Sequence, residues 1–474
     1  MENRNKALFK NTVILAIGQF VPKLLAIITL PILTGRLVQE DYGLYELSLS
    51  VASFCIPLLS VQIQQAAFRF LIDPNEKRED VISNSFIFAI CMFLIASIPI
   101  IFGWYLFSHN IIYGILFYFC YLFEMLLSWA GQVTRGTGDG VRYSIAYIIY
   151  SIAFLTCILL SYFAKRNLSI YDVSISIIAS YLLAFSFLVI KKRLYSSISF
   201  KFFRKTYLLK MLQYSGPMVI SSVALWVVNL SDRFFISGVL GLEMTAIYGV
   251  ANKIPNLFNS VYNVFNLAWT ENTSRLTQRE KDKGYYTTFF SEFYNVMVGM
   301  MGILICMSPL LFKVLVRNYS EAYGLMAWLY VGVFFSSLVS FFGSIYVGEK
   351  RTKDVGISSA VGAAINVFVN FIFMKRFGLI IAAISTIISY LIICVYRAVD
   401  IKKYVVIEYN YGKIALGLVT IILLASINYK FSVPATIITL CVTIGYNIIF
   451  NRQFFLNLFR MLKRRITKGS NKHE

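Results

Sequence analysis

Charge is what this sequence is short of. Only 14% of its 474 residues are Asp, Glu, Lys or Arg, and 58% are hydrophobic; soluble domains carry about 25% charged residues. Acid is scarcer than base, with 23 Asp and Glu against 44 Lys and Arg. The two histidines, His109 and His473, fall in a loop and in the tail, which leaves no histidine-based catalytic or metal site. The seven cysteines (55, 91, 120, 157, 306, 394 and 441) are scattered singly through apolar runs. With no metal or redox spacing, they read as small buried apolar residues. A nucleotide-phosphate loop is missing too. The run Thr134-Arg135-Gly136-Thr137-Gly138-Asp139-Gly140 lacks the Gly-Lys-Ser/Thr ending and the strand–helix setting, so it reads as a turn. These absences point to no catalytic residues, no metal and no cofactor.

What is present is apolar length. Runs of about 20 apolar residues recur along the chain, which is the signature of a polytopic α-helical membrane protein. The runs are continuous rather than alternating, which excludes a transmembrane barrel. Arg4, Lys6 and Lys10 precede a run long enough to span, without a small-residue cleavage site, so a first span is expected in place of a signal peptide. Spans are predicted at 11–33, 43–66, 81–107, 110–132, 142–163, 169–190, 213–239, 244–269, 287–312, 321–346, 356–374, 378–399, 411–429 and 432–450. Fourteen spans put both termini on one side. With that side cytoplasmic, 33 Lys and Arg fall on cytoplasmic segments and 8 on outer ones. The net charge of +21 is therefore topological, as the positive-inside rule requires, and no nucleic-acid partner is expected.

The three remaining cations, Lys23, Arg233 and Lys253, lie inside predicted spans. A lysine at mid-membrane costs roughly 2.5–3.5 kcal/mol on insertion scales. Each therefore needs an intra-bundle partner or a polar path. Arg233, near the outer end of its span, has the further option of snorkelling to the surface. Glu46, Glu124 and Asp232 are the matching carboxylates within spans, and are candidates for binding a coupling proton or Na+.

Two spans carry polar stripes. At about 100° per residue, Asn252, Asn256, Asn259, Asn263, Asn266 and Thr270 fall within an arc of about 80°. Glu46, Ser50, Ser53, Pro57, Ser60 and Gln64 do the same on the second span. A stripe of this kind has to face protein or a water-filled path. On the eleventh span, Ser359, Gly362, Ala363, Asn366 and Asn370 share one face, where close helix packing explains them.

The stripes are related by an internal repeat. An offset of 203 places Thr34-Gly35 on Ser237-Gly238, Glu40 on Glu243, Tyr45 on Tyr248, Ser53 on Asn256 and Ser60 on Asn263. Both copies start from the cytoplasm, which makes a parallel repeat. The expected organisation is an N-terminal lobe at 1–190, a basic interfacial linker at 191–212 and a second lobe at 213–400. Two further helices occupy 401–450, and a basic cytoplasmic tail 451–474. Phe200, Phe202 and Phe203 alternate with Lys201, Arg204 and Lys205 in the linker, as in a membrane-surface segment.

Several segments now resemble one family. Leu30-Pro31-Ile32-Leu33-Thr34 followed by Asp41-Tyr42-Gly43-Leu44-Tyr45 resembles the first hairpin of bacterial polysaccharide flippases. Leu209-Lys210-Met211-Leu212-Gln213-Tyr214-Ser215-Gly216-Pro217 resembles their approach to the seventh helix. Ser231-Asp232-Arg233-Phe234-Phe235-Ile236 and Tyr248-Gly249-Val250-Ala251-Asn252-Lys253 resemble their central hairpin. These are the O-antigen and capsule repeat-unit flippases of the multidrug/oligosaccharidyl-lipid/polysaccharide exporter superfamily.

The resemblance implies two pseudo-symmetric six-helix lobes plus two C-terminal helices in a bacterial cytoplasmic membrane. It implies a non-enzymatic transporter that moves undecaprenyl-diphosphate-linked oligosaccharide by ion-coupled alternating access; a monomer is expected, with the oligomeric state left open. Membrane lipids surround it, and a polysaccharide polymerase and chain-length machinery are expected partners. Lys23, Arg233 and Lys253 would meet the diphosphate, with Arg suited to bidentate contact. Asn252, Asn256, Asn259, Asn263 and Asn266 would meet sugar hydroxyls. A multidrug/cation antiporter and a lipid II flippase are the alternatives. A membrane glycan polymerase or ligase fits less well, because every outer loop is short.

Overall fold

The computed structural model describes residues 2–73, 75–165, 167–275, 284–349, 351–430, 432–452 and 456. Its helices are α1 (Glu2–Arg36), α2 (Gln39–Leu59), α3 (Ile63–Ile72), α4 (Arg78–Ser108), α5 (Ile111–Gly136) and α6 (Gly140–Ala164). Next come α7 (Ile170–Lys192), α8 (Lys205–Leu230), α9 (Asp232–Val239), α10 (Leu242–Lys253) and α11 (Pro255–Arg275). The series ends with α12 (Tyr285–Leu315), α13 (Ala322–Gly348), α14 (Thr352–Phe377), α15 (Ile380–Asp400), α16 (Tyr411–Ile427) and α17 (Val433–Phe450). Ten of the described helices are long and apolar enough to cross a membrane. The loop at 276–283 and most of the basic tail lie outside the described residues.

Side-chain caps set five of the helix starts. Asn110 accepts from the Ile112 amide, Asp139 from Arg142, Asn410 from Lys413 and Ser432 from Ala435. Ser169 and Asp172 form a reciprocal capping box. Each of these satisfies an amide that the first turn leaves open.

Three spans expected to be continuous are interrupted. The second breaks into α2 and α3 at Val61 and Gln62, whose φ angles are 46° and 53°. Pro57, four residues earlier, has no N–H to donate. The Ser60 hydroxyl donates to the Ile56 carbonyl and accepts from the Gln62 amide. The seventh span restarts after Ser231, where the Phe234 amide bonds the Ser231 carbonyl at 2.9 Å, a tight three-residue turn. The eighth stops at Lys253 and resumes at Pro255, which is tolerated as the first residue of a helix. Counting each broken pair once gives fourteen helical segments among the described residues.

Contacts divide the chain into two compact units, residues 1–246 with 315–318, and 247–314 with 319–474. α8 and α9 pack on α2 and α3 within the first unit. Gln62 Nε2 reaches Ser222 Oγ at 2.8 Å, and Trp226 Nε1 reaches the Ser50 carbonyl at 2.8 Å. The repeat is nevertheless visible in the packing. The first unit pairs α6 with α7, α5 with α7 and α3 with α5, and the second pairs α14 with α15, α13 with α15 and α11 with α13. In the first unit, Gly43 leaves room for the Leu242 carbonyl.

The linker is fastened rather than loose. Ser83 Oγ donates to the Ser197 carbonyl and accepts from the Ser199 amide. Asn84 bonds both the Phe202 carbonyl and the Arg204 amide. Beyond it, Glu76 holds Lys210 at 2.6 Å and accepts from the Tyr207 hydroxyl at 2.8 Å. The Lys210 bond, with smaller help from Tyr207, holds the Glu76 carboxyl below its usual range. A lowered folded pKa adds stability above the unfolded value, and that stability is lost as pH falls through the folded value. Acidification should therefore loosen the start of α8. Hydrogen exchange at 205–210 should speed up as Glu76 protonates, and the effect should disappear in Glu76→Gln.

In the second unit, α16 and α17 dock on α12 through polar contacts. Tyr294 donates to the Ile414 carbonyl at 2.7 Å, Asn428 to Ile305 at 2.8 Å and Asn451 to Asn295 at 2.9 Å. The eleventh-span face packs as expected. Asn366 meets Ser385 on α15, and Gly362 leaves room for Ile393.

Candidate functional site

Within the first unit, α2 and α9 place Glu46 against Arg233. The guanidinium donates from Nε at 3.3 Å and from a terminal nitrogen at 3.2 Å, both to Glu46 Oε2. Glu46 is 1% exposed and Arg233 8%. The snorkelling option for Arg233 is thereby overturned. The side chain is drawn inward because a buried carboxylate stabilises a buried guanidinium more than partial hydration at the surface does. Asp232, on the next position of α9, is also buried.

Lys23 is exposed on α1, thirteen residues before the helix end at Arg36. At 1.5 Å per residue that is about 20 Å. α1 packs against α6, where Gly18 abuts Ser144. Glu124 is half-buried at the middle of α5.

In the second unit, the break at Ile254 splits the asparagine stripe. Asn252, on α10, bonds the Tyr248 carbonyl of its own helix at 2.9 Å. Lys253 is half-buried beside it. On α11 the remaining amides divide again. Asn256 and Asn263 are exposed, and Asn259 is half-buried and donates to Asn256 Oδ1 at 3.0 Å. Asn266 instead accepts from Tyr262 and from Ser344 on α13, at 2.9 and 2.8 Å, and Thr270 meets the same Ser344 hydroxyl. The lower stripe is helix packing, and its upper part presents amides outward. The carboxamide faces available to a polar ligand are therefore those of Asn256, Asn259 and Asn263.

Sequence reasoning passed over Gln62, whose amide joins α3 to α8, and Arg397, which binds three helices. The first had a signal in Pro57 five residues upstream. The second had none, because its acceptors are hydroxyls and carbonyls. A separate cavity of about 670 Å3 opens at the start of α12, with Glu292, Glu408 and Lys413 in its wall. Its charges are mixed and exposed, so it lacks the desolvated cations a diphosphate requires.

The profile of the family described as "Polysaccharide biosynthesis protein" matches residues 8–270. Among solved structures, the chain is similar to a lipid II flippase, MurJ, in an inward closed conformation. Identity is 15%, 94% of this chain and 100% of that one are covered, and the TM-score is 0.65. It is similar to an inward-facing multidrug resistance MATE transporter of the MOP superfamily at 13% identity, with coverage of 80% and 98% and a TM-score of 0.60. A MOP superfamily transporter from Pyrococcus furiosus, described as having a binding pocket of reversed polarity, gives 15%, 84%, 96% and 0.58 in the same order. No curated protein sequence matches.

Proposed function

Because the chain belongs to the polysaccharide biosynthesis protein family, we propose that it is a flippase for an undecaprenyl-diphosphate-linked oligosaccharide. The shared fold with a lipid II flippase and with MOP superfamily transporters supports a transporter over an enzyme. The observation that carries the reading is the outward amide face of Asn256, Asn259 and Asn263 on α11. Carboxamides both donate and accept, which matches sugar hydroxyls. Lys23 and Lys253 are the cations assigned to the diphosphate, and Arg233 is bonded to Glu46. The polyprenyl chain stays in lipid.

In this reading the protein sits in the bacterial cytoplasmic membrane with both termini inside. The basic ends of α4, α7 and α8 in the first unit support that orientation. It works by alternating access coupled to an H+ or Na+ gradient. A polymerase and its chain-length partner would take the flipped product.

Lys23→Gln and Lys253→Gln should each slow flipping of a labelled lipid-linked oligosaccharide by about tenfold, the loss of one charge-assisted contact. Unchanged flipping in the double variant, at normal abundance, would remove the cation assignment. A lipid II flippase is the second reading, favoured by full-length similarity to MurJ. Assaying both cargoes in one preparation separates the two.

A further inference from the structure

The three carboxylates inside spans are not equivalent. Arg233 matches Glu46, and Asp232 is buried on the same helix as that arginine. Glu124 stands apart. It lies thirteen residues past Ile111 and twelve before Gly136 on α5, so it is about 18–20 Å from either end. About one turn earlier, Cys120 donates to the Ser174 carbonyl of α7, which sets Glu124 beside that helix and its Tyr181. The Tyr181 ring stacks on Tyr150 of α6 with centroids 4.3 Å apart and planes within 9°. Tyr147, also on α6, and Tyr45, on α2, complete the surround, and Tyr45 is within electrostatic reach of both Glu46 and Glu124. On α5 itself, Cys120 and Tyr121 are the nearby titratable groups, and Cys120 donates to the Ser174 carbonyl.

Among the described residues no basic side chain pairs with Glu124. Arg135 stacks over Tyr143 and reaches Tyr147, but not this carboxyl. An ionised carboxylate at mid-membrane without a cation is unfavourable, and such a group neutralises by binding a proton. Phenol hydroxyls are well suited to hold either form, since they donate to a carboxylate and accept from a carboxylic acid.

We propose that Glu124, in this box of tyrosines, is the residue that takes up and releases the coupling proton. The inference rests on the transporter reading above and deepens it. One proton leaves the carboxyl for water on one side of the membrane and is replaced from the other side. No oxidant or co-reactant enters. Glu46 has the different task of matching Arg233.

The test uses the full chain in lipid vesicles, with two readouts. Infrared difference spectra across a pH step should show a protonated-carboxyl stretching band in the wild type. That band should be lost in Glu124→Gln and present in Glu124→Asp. Flipping of labelled undecaprenyl-diphosphate oligosaccharide should be stimulated by a pH gradient in the wild type and in Glu124→Asp. In Glu124→Gln the ratio with and without the gradient should fall to one. An unchanged band in Glu124→Gln overturns the proposal, as does retained gradient stimulation in that variant. Stimulation of the wild type by Na+ alone overturns it too. If the wild type moves no such cargo, the flippase reading fails, and the infrared arm still decides whether Glu124 holds the proton. Melting profiles of each variant identify a folding defect, for which Glu124→Asp is the rescue.

Discussion

Arg397→Ala should be among the most destabilising single substitutions in the second unit, by about 3–5 kcal/mol. The side chain is 2% exposed. Nε donates to Ser358 Oγ at 2.9 Å, and one terminal nitrogen donates to the Val339 carbonyl at 2.8 Å. The other donates to the Val355 carbonyl at 3.0 Å and to Ser359 Oγ at 2.9 Å. One planar fork thus ties α13, α14 and α15 together. Removing it takes a charged donor away from four acceptors where water is scarce, and each lost bond to a charged group is worth about 1.5–3 kcal/mol before relaxation. Gly343 is part of the same device, because a Cβ there would stand 3.0 Å from the guanidinium. Arg397→Lys should recover only part of the loss, since an ammonium cannot span acceptors laid out for a fork. The measurement is the melting temperature of purified protein in detergent for the three variants. A melting temperature in Arg397→Ala equal to that of the wild type would show that these bonds contribute nothing net.

Arg397 also marks the limit of what the sequence discloses. Read along the chain, it is one more basic residue near the end of a span. Its acceptors sit 38 to 58 residues away, and none is charged, so no pairing rule points to it. The Glu46–Arg233 pair is hidden in another way. Both residues are conspicuous as charges in apolar sequence, but 187 positions separate them. Only folding chooses between a partner, a ligand and the surface.

What could be read was whatever depends on local composition. Apolar length gave the spans, and the 203-residue offset gave a repeat that returns as equivalent helix packing. The small-residue face around Gly362 and Asn366 was read correctly as a helix contact. The interruptions were half legible. Pro255 announces one outright. Pro57 announces another, but the turn it enables falls at Val61 and Gln62, where a β-branched residue in a left-handed conformation is a poor expectation. The periodicity of the asparagine stripe is legible in the sequence, and what its members touch is not. Its lower members meet Ser344 of α13, whose position no helical wheel contains.

The Glu46–Arg233 pair supports the second large prediction. Arg233→Ala leaves Glu46 buried without that cation and should destabilise the first unit by about 3–5 kcal/mol, as breaking buried pairs does. Glu46→Gln should act in the same direction. Replacing both at once by methionine should recover most of the stability, because an apolar pair of similar volume does not need the desolvation that two charges require. The double-mutant cycle, closed with the single variants Arg233→Met and Glu46→Met, should therefore show a strong favourable coupling, above roughly 1.5 kcal/mol. Flipping measured on the same four proteins then separates structure from function. If the pair only pins α9 to α2, the double variant should regain transport along with its melting temperature. If Arg233 is released to the cargo diphosphate during the cycle, the double variant should be stable and inactive. Glu46 would then be the counter-ion that occupies Arg233 between turnovers. The geometry allows this second outcome because Arg233 bonds a single carboxylate oxygen, at 3.2 and 3.3 Å, rather than both oxygens in the tighter two-pronged arrangement that a permanent pair favours.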